Sequence, residues 1–413
     1  MSDGLHSGRF GMRIGRPLIC FLLCACTASA DDDRPVRIQL LDGRSIDGSL
    51  LAFDATAGVT VRAGGQTIRI ALSDVDWLDI EGPPCRSPPG GFAVRLADGS
   101  FLPVEVEGGS ESGINVRHDL LGRLQLPLDR VREITIGPPR TDPAPMGDET
   151  DDGAWLNDGT AIHGIVTVVS DRFLVIQADF VDHRLEWTDL RRLTLAPSDA
   201  RAVPPTRCRI HLSDDSVLAA AQATIDDQFL TGQTACDIPF RATVHSLRVL
   251  EPVCDSRTWL EDVEPHHFES IPLFDVSWPI RVGRNALGGP LQVGGRRFRR
   301  GIGLHAACRV AWRLDRRYDR FRATVAVDDD SGSLAHADIA IRLDDRVAYQ
   351  NANLRWKAPP SAIDLDVSEA ARMEIEIGFG RHGDTQDRID LLNPRLIVED
   401  RKPPPEAPPT TRR

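Results

Sequence analysis

Residues able to do chemistry are scattered along this chain. His266-His267 could ligate a metal, but no third ligand stands at helical or hairpin spacing, so the pair reads as linker. Asp328-Asp329-Asp330 clusters the oxygen ligands a structural calcium takes, and reads equally well as a solvated acidic turn. No other cofactor is indicated. The sequence has no Gly-x-Ser-x-Gly, no His-Glu-x-x-His and no glycine-rich phosphate loop. Carboxylate pairs are frequent, as in any acidic chain, and assign no site. A hydrolase domain needs a few hundred residues. The elements described below leave none over, so the chain reads as non-enzymatic.

The net charge is −12, and no basic footprint of a nucleic-acid binder is present. Lys357 and Lys402 are the only lysines, so basic charge is nearly all arginine. The N-terminus carries Arg9, Arg13 and Arg16, then the apolar run Leu18 to Ala28, then Ala28-Ser29-Ala30. That order is the signature of a secretory signal peptide over residues 1–30, with the mature chain starting at Asp31. Such a chain would be secreted or placed in the periplasm or cell envelope. Leu23-Cys24-Ala25-Cys26 also resembles a bacterial lipobox. Its use would lipidate Cys26 and give a membrane as partner. Beyond residue 30 stand Cys85, Cys208, Cys236, Cys254 and Cys308, with no Cys-x-x-Cys. Export permits disulfides, and the cluster from Cys208 to Cys254 suggests one.

The elements that position these groups read as β throughout. Residues 36–251 hold an internal repeat. Each unit opens on alternating apolar residues and an acidic turn: Val36/Ile38/Leu40 before Asp42-Gly43, Phe92/Val94/Leu96 before Asp98-Gly99, Ala154/Leu156 before Asp158-Gly159, and Ile210/Leu212 before Asp214-Asp215. Each closes on apolar-x-x-apolar-x-apolar: Val75/Leu78/Ile80, Val131/Ile134/Ile136, Leu190/Leu193/Leu195 and Val244/Leu247/Val249. Period-2 alternation places successive side chains on opposite faces of a sheet, and Asp-Gly favours a tight hairpin. Units at 36–82, 92–137, 152–196 and 208–252 each have room for four or five strands. Their pattern resembles a small SH3-like or Sm-like barrel. Proline-rich stretches at 83–89, 138–145 and 197–205 read as stiff spacers between them. The tail 403–413 is too polar and proline-rich to bury a core and reads as disordered.

After Glu251 the texture changes. Turn-rich sequence through Trp278-Pro279 leads to alternating strands at Val310/Trp312/Leu314, Phe321 to Val327, Ile339/Ile341/Leu343, Ile363 to Val367, Met373/Ile375/Ile377 and Leu396/Val398. Many short strands between turns indicate an all-β sandwich. Gly-Pro-Leu-x-Val-Gly-Gly from Gly289, Arg299-Arg300-Gly301-Ile302-Gly303-Leu304-His305-Ala306, Tyr318 with Phe321, Val327-Asp328-Asp329 and Gly383-Asp384-x-x-Asp387-Arg388-Ile389-Asp390 come in order. Over 259–398 this series resembles the NPCBM family, which is similar to galactose-binding-like jelly rolls.

The resemblance implies a glycan or polysaccharide partner, galactose-type among the candidates. A sugar site needs an apolar platform with a few convergent polar groups. His305 is the motif histidine. Trp278, Trp312 and Trp356 are candidate platforms, with Trp312 placed in the core by its alternation. Trp356 follows the polar Asn351-Ala352-Asn353 segment and reads as exposed. Asp384 and Asp387 share a polar loop with His382. The family often has an aromatic residue after the aspartate near position 390, where this chain has Leu391. The site is therefore expected at His305, Trp278, Trp356, Asp384 and Asp387. The alternative reading is a structural or docking protein of the envelope, whose sandwich has lost its sugar site and whose repeats contact other envelope proteins.

Overall fold

The computed structural model describes residues 34–80, 91–110, 112–137, 151–197, 203–226, 228–271, 273 and 276–399. The expected signal peptide, Cys26, Cys85, the spacers at 83–89 and 138–145 and the tail at 403–413 lie outside them. The described chain is β throughout, with only three-residue 3-10 turns besides. Among the described residues no helix is long and apolar enough to cross a membrane.

Each repeat unit is a meander of five strands. In unit 1 they are Pro35–Leu40, Ser45–Asp54, Gly58–Ala63, Gln66–Ile70 and Val75–Ile80, with the 3-10 turn Leu72–Asp74 before the last. The first strand pairs with the second and the fifth, the second with the third and the third with the fourth. Units 2, 3 and 4 repeat this pairing between 92 and 136, 152 and 194, and 208 and 252. The recurring aspartate builds the first turn. Asp42, Asp98, Asp158 and Asp214 each accept a hydrogen bond from the backbone N–H two residues on, the Asx-turn arrangement. Gly43, Gly99 and Gly159 follow at φ of 94°, 86° and 92°, and Asp215 adopts 69° in the glycine's place.

The closing strand of unit 4 differs from expectation. Val244 opens the 3-10 turn, where the other units have Leu72, Leu128 and Trp187. The buried pair that matches Val75 and Leu78 is Leu247 and Leu250, while Val249 is only half-buried.

Nor are the units set apart. The closing strands of units 1 and 4 pair through Leu78↔Leu250, and those of units 2 and 3 through Ile134↔Leu193. Second strands add Phe53↔Ile225 between units 1 and 4, and Phe101↔Val217 between units 2 and 4. The chain thus makes two pairs, 1·4 and 2·3, joined through units 2 and 4. One apolar core runs through all four, from Val36 to Leu250.

The C-terminal part stacks two sheets. One orders Arg281–Val282, Gly301–His305, Arg388–Ile397, Arg320–Val327 and Ser361–Asp366, with Arg257–Trp259 also on Arg388–Ile397. The other orders His267–Ser270, Cys308–Arg313, Arg372–Phe379, His336–Leu343 and Arg346–Arg355. Their facing sides bury Trp312, Phe321, Ile339, Met373 and Ile389 completely. Burial of this kind, about 25 cal/mol per Å² of apolar surface, is what holds two sheets together. Trp312 lies in this core, and its Nε1 donates to the Val263 carbonyl at 3.1 Å.

The expected disulfide between 208 and 254 is not formed: Cys208, Cys236 and Cys254 are all free thiols. Cys208 and Cys236 are enclosed in the repeat core, and burial pushes both thiols up to about 12. They stay protonated and unreactive as nucleophiles.

Candidate functional site

His305 ends the strand Gly301–His305 and stands opposite Arg388 across the sheet. Its imidazole is buried, and its Nδ1 donates to the Ala306 carbonyl at 2.8 Å. The half-buried Trp278 ring lies flat on it, centroids 4.3 Å apart and planes 8° apart. Burial lowers the His305 pKa against the opposing pull of the Ala306 bond and of Asp384. The imidazole is therefore neutral at neutral pH and serves Trp278 as an apolar backing.

Asp384 is half-buried beside His305, and its carboxylate has no hydrogen-bond or ion-pair partner among the described residues. It is a free acceptor near the His305 imidazole. Asp387, expected in the same polar loop, is turned inward instead and is fully buried. Its Oδ1 accepts the His336 backbone N–H at 2.6 Å. Burial raises its carboxyl to about 6, the His336 bond opposes this, and the neighbouring Asp384 charge adds to it. Asp387 thus ties the loop down and presents no oxygen at the surface. Arg388, inside the Asp-Arg-Ile-Asp motif, donates to the Asp330 carbonyl.

Trp356 stands apart from this cluster. Asn351-Ala352-Asn353 belongs to the strand Arg346–Arg355, so no loop lifts the ring into solvent. The indole is half-buried against the sandwich core. Its Nε1 donates to the Asp329 carbonyl at 3.2 Å, and the Lys357 ammonium sits 4.1 Å from its ring centroid. The structure therefore brings together His305, Trp278 and Asp384 with Asp387 beneath. Trp356 lies across the Asp329-Asp330 segment.

The acidic run is hydrogen-bonded within the protein. Asp328 accepts from Asn285 Nδ2, Gln292 N and Asp330 N, and Asp329 accepts from Gly294 N and Gly295 N. Asp390 is buried beside Asp328. Burial first, then the Asp328 carboxylate, push it up to about 10, so at neutral pH it keeps its proton. Among the described residues no group of three or more His, Cys, Asp or Glu is placed to hold a metal ion. Leu391, where the family's aromatic was expected, is buried in the core between Ile302 and Val325. Its identity therefore bears on packing and not on a sugar platform.

A Ser-His-Asp grouping occurs between units 2 and 4. His118 Nε2 lies 2.8 Å from Ser216 Oγ and 3.3 Å from Asp214 Oδ2. Its Nδ1 accepts the backbone N–H groups of Leu120 and Leu121, so the proton is on Nε2. A nucleophile's base needs a bare nitrogen facing the hydroxyl. His118 and Ser216 are both buried, and the trio joins two units.

Residues 256–397 match the NPCBM/NEW2 domain family. No curated protein matches the chain. Among solved structures, the CBM51 module of a Clostridium perfringens GH95 enzyme in complex with methyl-galactose aligns at 16% identity and a TM-score of 0.31, over 34% of this chain and 99% of that one. The CBM51-2 and INT domains of Clostridium perfringens ZmpB in complex with GlcNAc align at 16% identity and TM-score 0.31, over 43% and 37%. The tandem CBM51 modules of a Streptococcus pneumoniae family 98 glycoside hydrolase align at 11% identity and TM-score 0.32, over 75% and 88%.

Proposed function

We propose that this is an exported, non-catalytic glycan-binding protein whose C-terminal sandwich takes a galactose-type sugar on the Trp278 ring. The observation that carries the reading is the flat Trp278–His305 stack beside the unpartnered Asp384 carboxylate, inside the NPCBM/NEW2 region. The C–H face of a pyranose is apolar and fits an indole, while its hydroxyls donate to a carboxylate. His305 fixes the ring plane from behind, and Asp387 anchors the loop that carries Asp384. A half-open site of this size binds at about millimolar to micromolar Kd.

The test uses the full chain on a glycan array and by titration calorimetry with methyl-galactose. Trp278→Ala is expected to weaken binding about tenfold or more without changing the unfolding midpoint. Trp356→Ala is expected to lower stability and leave affinity within about twofold. If the wild type binds no glycan at millimolar concentration, the docking reading takes over. Export is tested by sequencing the N-terminus of the exported protein: Asp31 supports cleavage after Ala28-Ser29-Ala30, a lipidated Cys26 supports a membrane anchor, and an intact Met1 overturns both.

A further inference from the structure

Between the sandwich and the 1·4 pair lies a buried group of charges. Asp76 of unit 1, fully buried, takes Arg257 Nη1 at 3.0 Å and Arg395 Nε at 2.5 Å. Arg257 also donates to the Asp76 carbonyl, and to the Pro252 carbonyl at 2.6 Å. Glu251 of unit 4, also buried, accepts from Trp259 Nε1 at 2.6 Å, from Arg300 Nε at 3.1 Å and from Arg300 Nη2 at 2.9 Å. Rings separate the charges: Trp77 and Trp259 lie 6.0 Å apart, Arg395 rests on Trp77, and Arg257 and Arg300 rest on Trp259. At the rim, Arg296 pairs with Asp79, and Arg322 donates to the Leu41 carbonyl.

The four closing strands share one register, which makes them comparable position by position. At the second position units 2, 3 and 4 carry Arg132, Arg191 and Arg248, and unit 1 carries Asp76. At the fifth position units 2 and 3 carry Thr135 and Thr194, whereas units 1 and 4 carry Asp79 and Glu251. The acids therefore occur only where the sandwich presents Arg257, Arg296, Arg300 and Arg395.

We infer that the sandwich and the 1·4 pair fold as one cooperative body, and that the acids at these closing-strand positions select the 1·4 pair over the 2·3 pair as its seat. A buried ion whose partner is removed is left without water or counter-charge. Separation of the sandwich would strand Arg257 and Arg395 on one side and Asp76 on the other, so the interface opens only together with the elements it joins. This inference is independent of what the sandwich binds.

Hydrogen exchange by mass spectrometry on the full chain tests it. In the wild type, amides of Phe321–Val327 in the sandwich and of Pro35–Leu40 in unit 1 are expected to open together, with one common protection factor. In Asp76→Asn/Glu251→Gln, the sandwich strands are expected to open at least about tenfold more often than the 2·3 pair's strands. Glu133→Gln, in the 2·3 pair, should leave the amides of Phe321–Val327 and Pro35–Leu40 unchanged. Should the double variant not fold, Asp79→Asn, at the half-exposed rim, should shift the same amides in the same direction by less. Independent opening of the two regions in the wild type, or unchanged exchange in the charge variants, would overturn the inference.

Discussion

The 1·4 pair and the 2·3 pair are built alike. Each joins two closing strands at a leucine or isoleucine, Leu78↔Leu250 in one and Ile134↔Leu193 in the other. They differ in what stands beside that apolar contact. On the 1·4 pair, Asp76 and Glu251 are buried under arginines of the sandwich. On the 2·3 pair, Glu133 is used inside the pair by Arg192 at 2.8 Å, and Arg192 covers the Trp155 ring. One backbone pattern thus yields a docking face or a self-satisfied face. The choice rests on the sign of a few side chains, because an uncompensated buried charge is among the most expensive features a fold can carry.

The largest expected effect comes from erasing that difference. Asp76→Arg gives unit 1 the residue type the other three units have, and faces Arg257 and Arg395 with a third buried cation. Loss of about 3–5 kcal/mol is expected, read as a lower urea midpoint of the full chain. The mirror change Arg132→Asp, on the half-exposed face of unit 2, should shift stability by no more than about 0.5–1 kcal/mol. Equal effects of the two would show that the pairs do not differ as described.

Next is the core beneath the proposed sugar-binding side. Leu391→Ala should cost about 2–5 kcal/mol, because a fully enclosed side chain leaves a cavity. Leu391→Phe, which restores the family's aromatic character, should overpack the core by about 1–3 kcal/mol and leave methyl-galactose affinity unchanged. An affinity gain in Leu391→Phe would mean that position 391 reaches the sugar after all.

These two cases mark how far the residues could be read in advance. Alternating apolar residues and the Asp-Gly turn are local signals, and local hydrogen bonds such as Asp42 to Arg44 N fulfil them. The closing pattern expected in unit 4 starts three residues early because Val244 is apolar like a strand residue, though it belongs to the 3-10 turn. Pairing between units 1 and 4 joins segments distant in sequence, so nothing local announces it. The sign change at Asp76 is visible in the chain, and acquires meaning only once that pairing is known. Within the site, the motif pointed to His305 and Asp384. The inward turn of Asp387 depends on the His336 N–H, which belongs to another strand.

Acid separates the interface from the sandwich interior. Glu251 is held below its ordinary 4.5: burial pushes it up, but the His211 hydrogen bond and the charges of Arg300 and Arg257 outweigh that. A depressed carboxyl stabilises above its unfolded pKa, so the interface weakens as pH falls below about 4.5. Asp387 is raised from 3.8 to about 6. Its contribution is full below 3.8 and is lost as pH rises through about 6. Between these values the unfolding midpoint should therefore fall with rising pH, and Asp387→Asn should reduce that slope to the part contributed by Asp390, which is raised to about 10. Glu251→Gln should instead remove the loss at the acid end. A wild-type sandwich indifferent to pH across this range would contradict the buried placement of Asp387.

The smallest effect is expected on the outer face of unit 3, and it bears on the docking alternative. Where unit 4 pairs Thr224 with Thr231, unit 3 pairs Val168 with Val175. Ile165 and Val181 are also exposed there, and Phe180 is fully exposed at the tip of the next hairpin. Phe180 and Asp179 hold φ of 65° and 50°, a region where a side chain crowds its own backbone by about 1 kcal/mol or more per residue. An exposed ring gains nothing from burial to offset that. Phe180→Gly relieves the crowding and should raise stability by about 1 kcal/mol, roughly 2–4 °C in Tm, while Asp76, Leu391 and the Trp278 site stay as they are. Phe180→Ser removes the ring but keeps the crowded backbone, and should move Tm by less than Phe180→Gly does. If Phe180→Gly instead lowers Tm, the turn is not strained and the ring has a contact within the folded chain. If both variants leave the protein more soluble with any glycan affinity intact, the apolar face of unit 3 is separable from the proposed sugar site. The two readings of this protein then belong to different parts of the same chain.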